Sequence, residues 1–184
     1  MMGRLGHSDA FVVYSGSMVA DEVGFDQLTL ARLAKRLKIS TPTLYSHIDG
    51  LDDLKRRIAE FGARALAVSL TVAVAGRSGQ DALTAAATAY RAYASRHPGT
   101  YTAVERGPAL GADPDEMRAP VTAVIAALRE YGLSGDDEIH AVRVIRAALH
   151  GFLSLELNGG FALELDVDES FGRLVATLHH GLAP

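Results

Sequence analysis

The chain has 184 residues, 48% of them hydrophobic and 22% charged, with a formal net charge of -4 and no cysteine. That length and apolar content can build a sizeable core, as one domain or as a small domain beside a larger one. The lack of cysteine excludes disulfides, thiol nucleophiles and cysteine metal sites; no apolar run approaches the roughly 20 residues that cross a bilayer, and the first residues lack the pattern of a secretory signal, so the expected location is cytoplasmic with no membrane partner.

Gly, Pro and capping residues divide the chain into about nine helical segments, and no stretch alternates like a strand, so the expected class is all-α. A first helix runs from about Ser8 to Glu22 and stops at Gly24. In a second, Leu30, Leu33, Ala34 and Leu37 form one apolar stripe and leave Arg32, Lys35 and Arg36 on the remaining surface. Lys38-Ile39-Ser40 then interrupts the helix. Ser40 or Thr41 can cap the next one, and Pro42 is tolerated in its first turn because a missing N–H costs nothing there. Leu44 and Ile48 face inward together. Thr41, Thr43, Tyr45, Ser46 and His47 stay outside, a set of donors, acceptors and methyls sized for a DNA major groove and its phosphate walls.

A fourth helix starts near Leu51 and continues toward Val74, with a turn at Gly76 to Gly79. A fifth, from about Gln80 to Arg96, ends at His97-Pro98-Gly99, and a shorter one carries Tyr101 and Val104. Gly107 to Asp113 is the loosest stretch. Asp113-Pro114 opens a helix expected to last to Tyr131, with Pro120 as a kink. The eighth starts at Ser134, with Asp137 completing a capping box, and stops at Asn158-Gly159-Gly160. The last begins after Asp166, with Glu169 in the corresponding capping position and Phe171, Leu174, Val175 and Leu178 as its stripe. The eighth helix is apolar on more than one side, through Val142, Ile145, Leu149, Phe152, Leu153 and Leu157, so one face is expected to meet the core and another a partner.

Charge is uneven along the chain. Residues 1–65 hold nine Lys or Arg against eight Asp or Glu, whereas the remainder holds nine against fourteen. A modest basic face beside an acidic remainder allows phosphate contact but little affinity from each copy, which favours binding as a dimer.

The run Pro42-Thr43-Leu44-Tyr45-Ser46-His47, preceded by a helix at the right distance and by Asp21-Glu22-Val23-Gly24-Phe25-Asp26, resembles the helix-turn-helix of the tetracycline-repressor (TetR/AcrR) family. Leu149-His150-Gly151-Phe152-Leu153 looks like the penultimate helix of a subgroup with a His-Gly segment. The resemblance implies a three-helix DNA-binding domain over 1–50 and a helical effector-binding and dimerisation domain over 51–184. It further implies double-stranded DNA with a palindromic operator as partner, a small-molecule effector that shifts helix four, and a homodimer built from the last two helices.

Carried over residue by residue, Thr41 and Thr43 become base-edge candidates with Ser46 behind them, Pro42 a thymine-methyl contact, and Tyr45 and His47 phosphate contacts. Lys35, Arg36 and Lys38 are further phosphate partners. With no Arg, Asn or Gln on the reading helix, bidentate pairings worth roughly 1 to 3 kcal/mol each are absent, and methyl contacts and DNA shape must specify more. Pocket candidates are Tyr93, Tyr101, Met117, Val121, Arg143, His150 and Phe152, with Tyr90, Val124 and His140 beside them. Interface candidates are Leu153, Leu157, Phe171, Leu174 and Leu178.

Three departures bear on this reading. Lys38 stands where the family's turn usually has glycine, Leu51 stands where it often has lysine, with Asp49, Asp52 and Asp53 around it, and only Arg4 and His7 precede the first helix as possible DNA contacts. They support the alternative of a helical small-molecule-binding or scaffold protein whose DNA binding is vestigial. No Gly-rich phosphate loop, His-Glu-x-x-His or Gly-x-Ser-x-Gly occurs, so neither an enzyme, a cofactor nor a metal site is expected. The adjacent pair His179-His180 diverges by about 100 degrees on a helix and suits one metal poorly.

Overall fold

The computed structural model describes residues 8–182, so Arg4 and His7 lie outside the described residues. The described chain is helical: α1 (Asp9–Val23), α2 (Leu30–Leu37), α3 (Thr41–Leu44), α4 (Leu51–Val74), α5 (Gly79–Arg96), α6 (Pro98–Arg106), α7 (Pro114–Ala127), α8 (Asp136–Leu157) and α9 (Val167–Leu182). Short 3-10 turns occupy Phe25–Gln27, Gly107–Leu110 and Arg129–Tyr131. Two compact units emerge, one from residues up to 65 together with 96–117, the other from 66–95 together with residues from 118 onward.

In the first unit α1, α2, α3 and the start of α4 close over Val12, Phe25, Leu28, Leu33, Leu44, Ile48, Leu54 and Ile58. Leu44 and Ile48 are both buried, as the pattern requires. Leu51 packs against this cluster, which gives an apolar residue at the head of α4 a physical reason. The unit also holds α6, fixed to α1 by backbone proximity: a Cβ added at Gly99 would lie 2.0 Å from the Ala20 carbonyl oxygen. Asp21 secures the same junction, accepting from the Thr100 N–H at 2.7 Å and meeting His97 Nδ1 at 3.1 Å.

The second unit buries Leu70, Leu83, Tyr90, Tyr93, Leu128, Tyr131, Ile145, Leu149, Leu153, Phe171, Val175 and Leu178. Here local boundary signals were less reliable. Helix α7 runs through Pro120 but ends at Ala127, and the chain reaches Gly132 by a 3-10 turn instead of continuing to Tyr131 as helix. Helix α8 begins at Asp136, and its cap is Gly135, at φ 60° and ψ -128°, with no side-chain cap bond, so Ser134 and Asp137 form no capping box. Asp166 does cap α9, accepting from the Asp168 N–H at 2.8 Å. Glu169 instead pairs with Arg173 one turn on, at 2.6 Å.

Candidate nucleic-acid interface

The helix-turn-helix is set by three local choices. Thr29 opens α2 by accepting from the Arg32 N–H at 3.3 Å. Lys38 closes it in the left-handed region, φ 56° and ψ 38°, with the Ile39 N–H reaching back to the Ala34 carbonyl at 3.1 Å. Ser40 then caps α3, accepting from the Thr43 N–H at 3.4 Å while Pro42 sits in the first turn. Ser40 therefore takes the cap and Thr41 the first helical position. The reader itself is short, because α3 ends at Leu44 and residues 45–47 continue as turns.

Its outer surface presents Pro42, Thr43, Tyr45 and Ser46 as exposed residues, with Thr41 and His47 half-buried. Tyr45 has 58% of its surface exposed although it is large and aromatic. Thr43 and Ser46 each make one local bond, Thr43 Oγ1 to Ser40 Oγ and Ser46 Oγ to the Thr43 carbonyl, both at 2.7 Å. A hydroxyl has further lone pairs, so these bonds orient the groups without exhausting them. Lys35 and Lys38 are exposed; Arg36 is half-buried against α1, paired to Glu22 at 2.6 Å and touching Met18 Sδ at 3.3 Å.

The end of the reader is held from two sides by residues the sequence pattern did not single out. His47 Nδ1 meets the Asp9 carboxylate of α1 at 2.8 Å, and Arg57 of α4 donates to the His47 carbonyl at 3.2 Å. Arg57 is in turn paired with Asp53 at 2.9 Å, and Arg56 binds the same carboxylate. Burial pushes the Asp53 carboxyl up, but hydrogen bonds from the Asp49 N–H and from both guanidiniums more than offset it and leave it below its ordinary value. Of the three aspartates at the head of α4, Asp53 is thus neutralised by two arginines.

The other candidate residues are distributed between the units. Tyr101 is buried and Met117 half-buried in the first, where Met117 covers Gly107. In the second, Tyr93 is buried on α5 beside Tyr90, Val121 and His150 are half-buried, and Arg143 and His140 are exposed on α8. Phe152 stacks near Phe161 and Phe171, at 4.8 and 5.3 Å between ring centroids. Arg91 lies over the Phe171 ring at 4.8 Å while binding Glu156 of α8 and Asp168 of α9. Hydrogen bonding to Glu156 raises the Arg91 guanidinium above its ordinary value; burial opposes this and Asp168 reinforces it.

Leu153, Phe171 and Leu178 are buried within their own chain, Leu174 is half-buried and Leu157 is exposed. His179 bonds Tyr131 Oη at 2.8 Å whereas His180 turns to the Ala176 carbonyl, and among the described residues no acidic or histidine group has the arrangement of a metal site.

A capped two-helix reader with an inward Leu44-Ile48 lock, joined to a larger helical unit, defines a helix-turn-helix regulator. The sequence model of the tetracyclin repressor-like C-terminal domain matches residues 83–178. An uncharacterized HTH-type transcriptional regulator of Mycobacterium tuberculosis, Rv0681, is 38% identical over 165 residues, covering 88% of this chain and 75% of that protein. The uncharacterized HTH-type transcriptional regulator YobS of Bacillus subtilis is 30% identical over 189 residues, covering 99% and 96%. The chain belongs to the tetracycline-repressor family and is a DNA-binding regulator, not an enzyme. The fold is shared with a protein of unknown function from Rhodococcus sp. RHA1, TM-score 0.80 at 23% identity with 98% of each chain covered. It is shared too with BioQ of Mycobacterium smegmatis, TM-score 0.71 at 24% identity with 94% of this chain and 95% of that one covered. No helix of the described residues is long and apolar enough to cross a membrane.

Proposed function

We propose that the chain is a homodimeric repressor that occupies a roughly palindromic operator and leaves it when a small-molecule effector binds. In this reading residues 1–50 read DNA, and residues 51–184 sense and dimerise. The observation that carries it is the exposed Pro42, Thr43, Tyr45 and Ser46 surface on a short helix and the turn after it, locked from behind by Leu44 and Ile48. Thr41 and Thr43 take base edges with Ser46, Pro42 a thymine methyl, and Tyr45 and His47 phosphates, with Lys35 and Lys38 flanking them. Arg36 contributes less, since its charge is already matched by Glu22.

Within the family we assign the chain to the subgroup with His-Gly in the penultimate helix, on His150-Gly151. A Cβ added at Gly151 of α8 or Gly172 of α9 meets nothing within 4 Å. A glycine inside a helix costs about 1 kcal/mol relative to alanine, so two with no neighbour in their own chain favour close approach by a second copy. Exposed Val144 and Leu155 on α8 support the same face. Leu157 and Leu174 then contact the partner, while Leu153, Phe171 and Leu178 keep α8 against α9. The effector is assigned to the helices of the second unit, on Tyr93, Val121, His150 and Phe152, which are buried or half-buried there.

Selection of random duplex DNA by the purified protein, followed by titration of the enriched site across a salt series, tests this function. A palindrome with two half-sites is the expected outcome. Weak binding at low salt with no enriched sequence would overturn it in favour of a ligand-binding protein with vestigial DNA affinity.

A further inference from the structure

We infer that Asp9 is a positioning residue that makes the grip of His47 on a DNA phosphate depend on a proton; the inference rests on the DNA-reading function proposed above. Asp9 opens α1 and His47 ends the reader, 38 positions later, and the Asp9 carboxylate meets His47 Nδ1 at 2.8 Å. An ionised carboxylate only accepts hydrogen bonds, so Nδ1 carries the hydrogen. In a neutral ring Nε2 is then a bare acceptor, and a phosphate oxygen brought to it would face lone pair against lone pair. Only the imidazolium donates at both nitrogens and can bridge the two anions. Forming that contact from the neutral ring therefore takes up one proton from solvent per reader, and dissociation releases it.

The other charges near the ring do not replace this requirement. Arg57 of α4 reaches the His47 carbonyl, not the ring, and its charge is matched by Asp53, which also binds Arg56 and the Asp49 N–H. Asp9 has 63% of its side chain exposed, so removing its charge leaves the core untouched.

The test measures the Kd of the full chain for random-sequence duplex DNA at constant ionic strength, from about pH 5.5 to pH 8, the window in which histidines change charge. For the wild type, affinity is expected to fall as pH rises, by about tenfold per pH unit per reader at the steepest point. Asp9→Asn is expected to flatten the profile, because an amide can donate to Nδ1 and let the neutral ring keep its hydrogen on Nε2. His47→Gln is expected to be flat as well, because an amide side chain cannot take up the proton. A flat wild-type profile, or an Asp9→Asn profile as steep as the wild type, overturns the inference while leaving DNA reading intact. Absence of wild-type binding at every pH overturns the DNA reading itself.

Discussion

The reader and the α8–α9 pair solve opposite problems. Residues 29–48 form two helices too short to persist alone; neighbours in sequence shape them, with Thr29 and Ser40 as caps and Lys38 in the turn, and Leu44 and Ile48 anchor them in the core. Helices α8 and α9 are long, and they are fixed by distant partners, with Arg91 of α5 tying Glu156 to Asp168 across three aromatic rings. The reader's outer face is polar and small. The outer face of α8 keeps Val144 and Leu155 exposed. A small polar surface can be specified locally, whereas the apolar area that α8 leaves uncovered fits the contact between copies proposed above.

The largest effect that separates the two regions is expected from Leu44→Ala. Leu44 is fully buried under the reader, so the truncation should cost about 2 to 5 kcal/mol and lower the thermal midpoint steeply, with DNA binding lost alongside. Measured by calorimetry, a cost below about 1 kcal/mol would mean that the reader is not anchored through this residue.

The glycines sharpen the contrast. Gly99→Ala drives a methyl into the Ala20 carbonyl, at 2.0 Å, and backbone cannot yield as a side-chain tip does. We expect a loss of about 1 to 3 kcal/mol from displacing α6 off α1. Gly151→Ala meets nothing in its own chain and should stabilise the monomer by up to about 1 kcal/mol through helix propensity. Sedimentation should nevertheless show a weaker dimer, since the added methyl enters the proposed contact between copies. An unchanged dimerisation constant would move the interface elsewhere.

These differences also explain what the sequence could convey. The caps and the turn of the helix-turn-helix were legible because each lies within five residues of its partner. Helix order and the inward faces of Leu44 and Ile48 followed from periodicity alone. The missed features are either long-range or conformational. Asp9 and His47 are 38 positions apart and Arg91 and Glu156 are 65 apart, and no pattern links them. The start of α8 was misplaced because Gly135 adopts a conformation closed to other residues, which removes the need for Ser134 as a cap. Glu169 was assigned to its own helix end, but Arg173 one turn later is a stronger partner. The outward Lys35 and the paired Arg36 read alike as surface cations, and only the placement of Glu22 on α1 distinguishes them.

The smallest effect expected is also the most discriminating. Lys38 is the one non-glycine among the described residues with positive φ, and it occupies a turn where a glycine would be unstrained. Left-handed backbone costs an L-residue roughly 1 to 2 kcal/mol, and the greater freedom of glycine in the unfolded chain returns part of that. Lys38→Gly should therefore raise stability by about 1 kcal/mol or less, read as a few degrees in the thermal midpoint. If that were the whole effect, the lysine would be a solvated residue tolerated at a strained position. We expect a second change: the slope of log Kd against log salt for DNA should shrink by about one per reader, because a cation held at the turn beside the reading helix is lost with its phosphate. Strain and charge at one residue then become two readings of the same substitution. A stabilised variant with an unchanged salt slope would separate them and remove Lys38 from the interface.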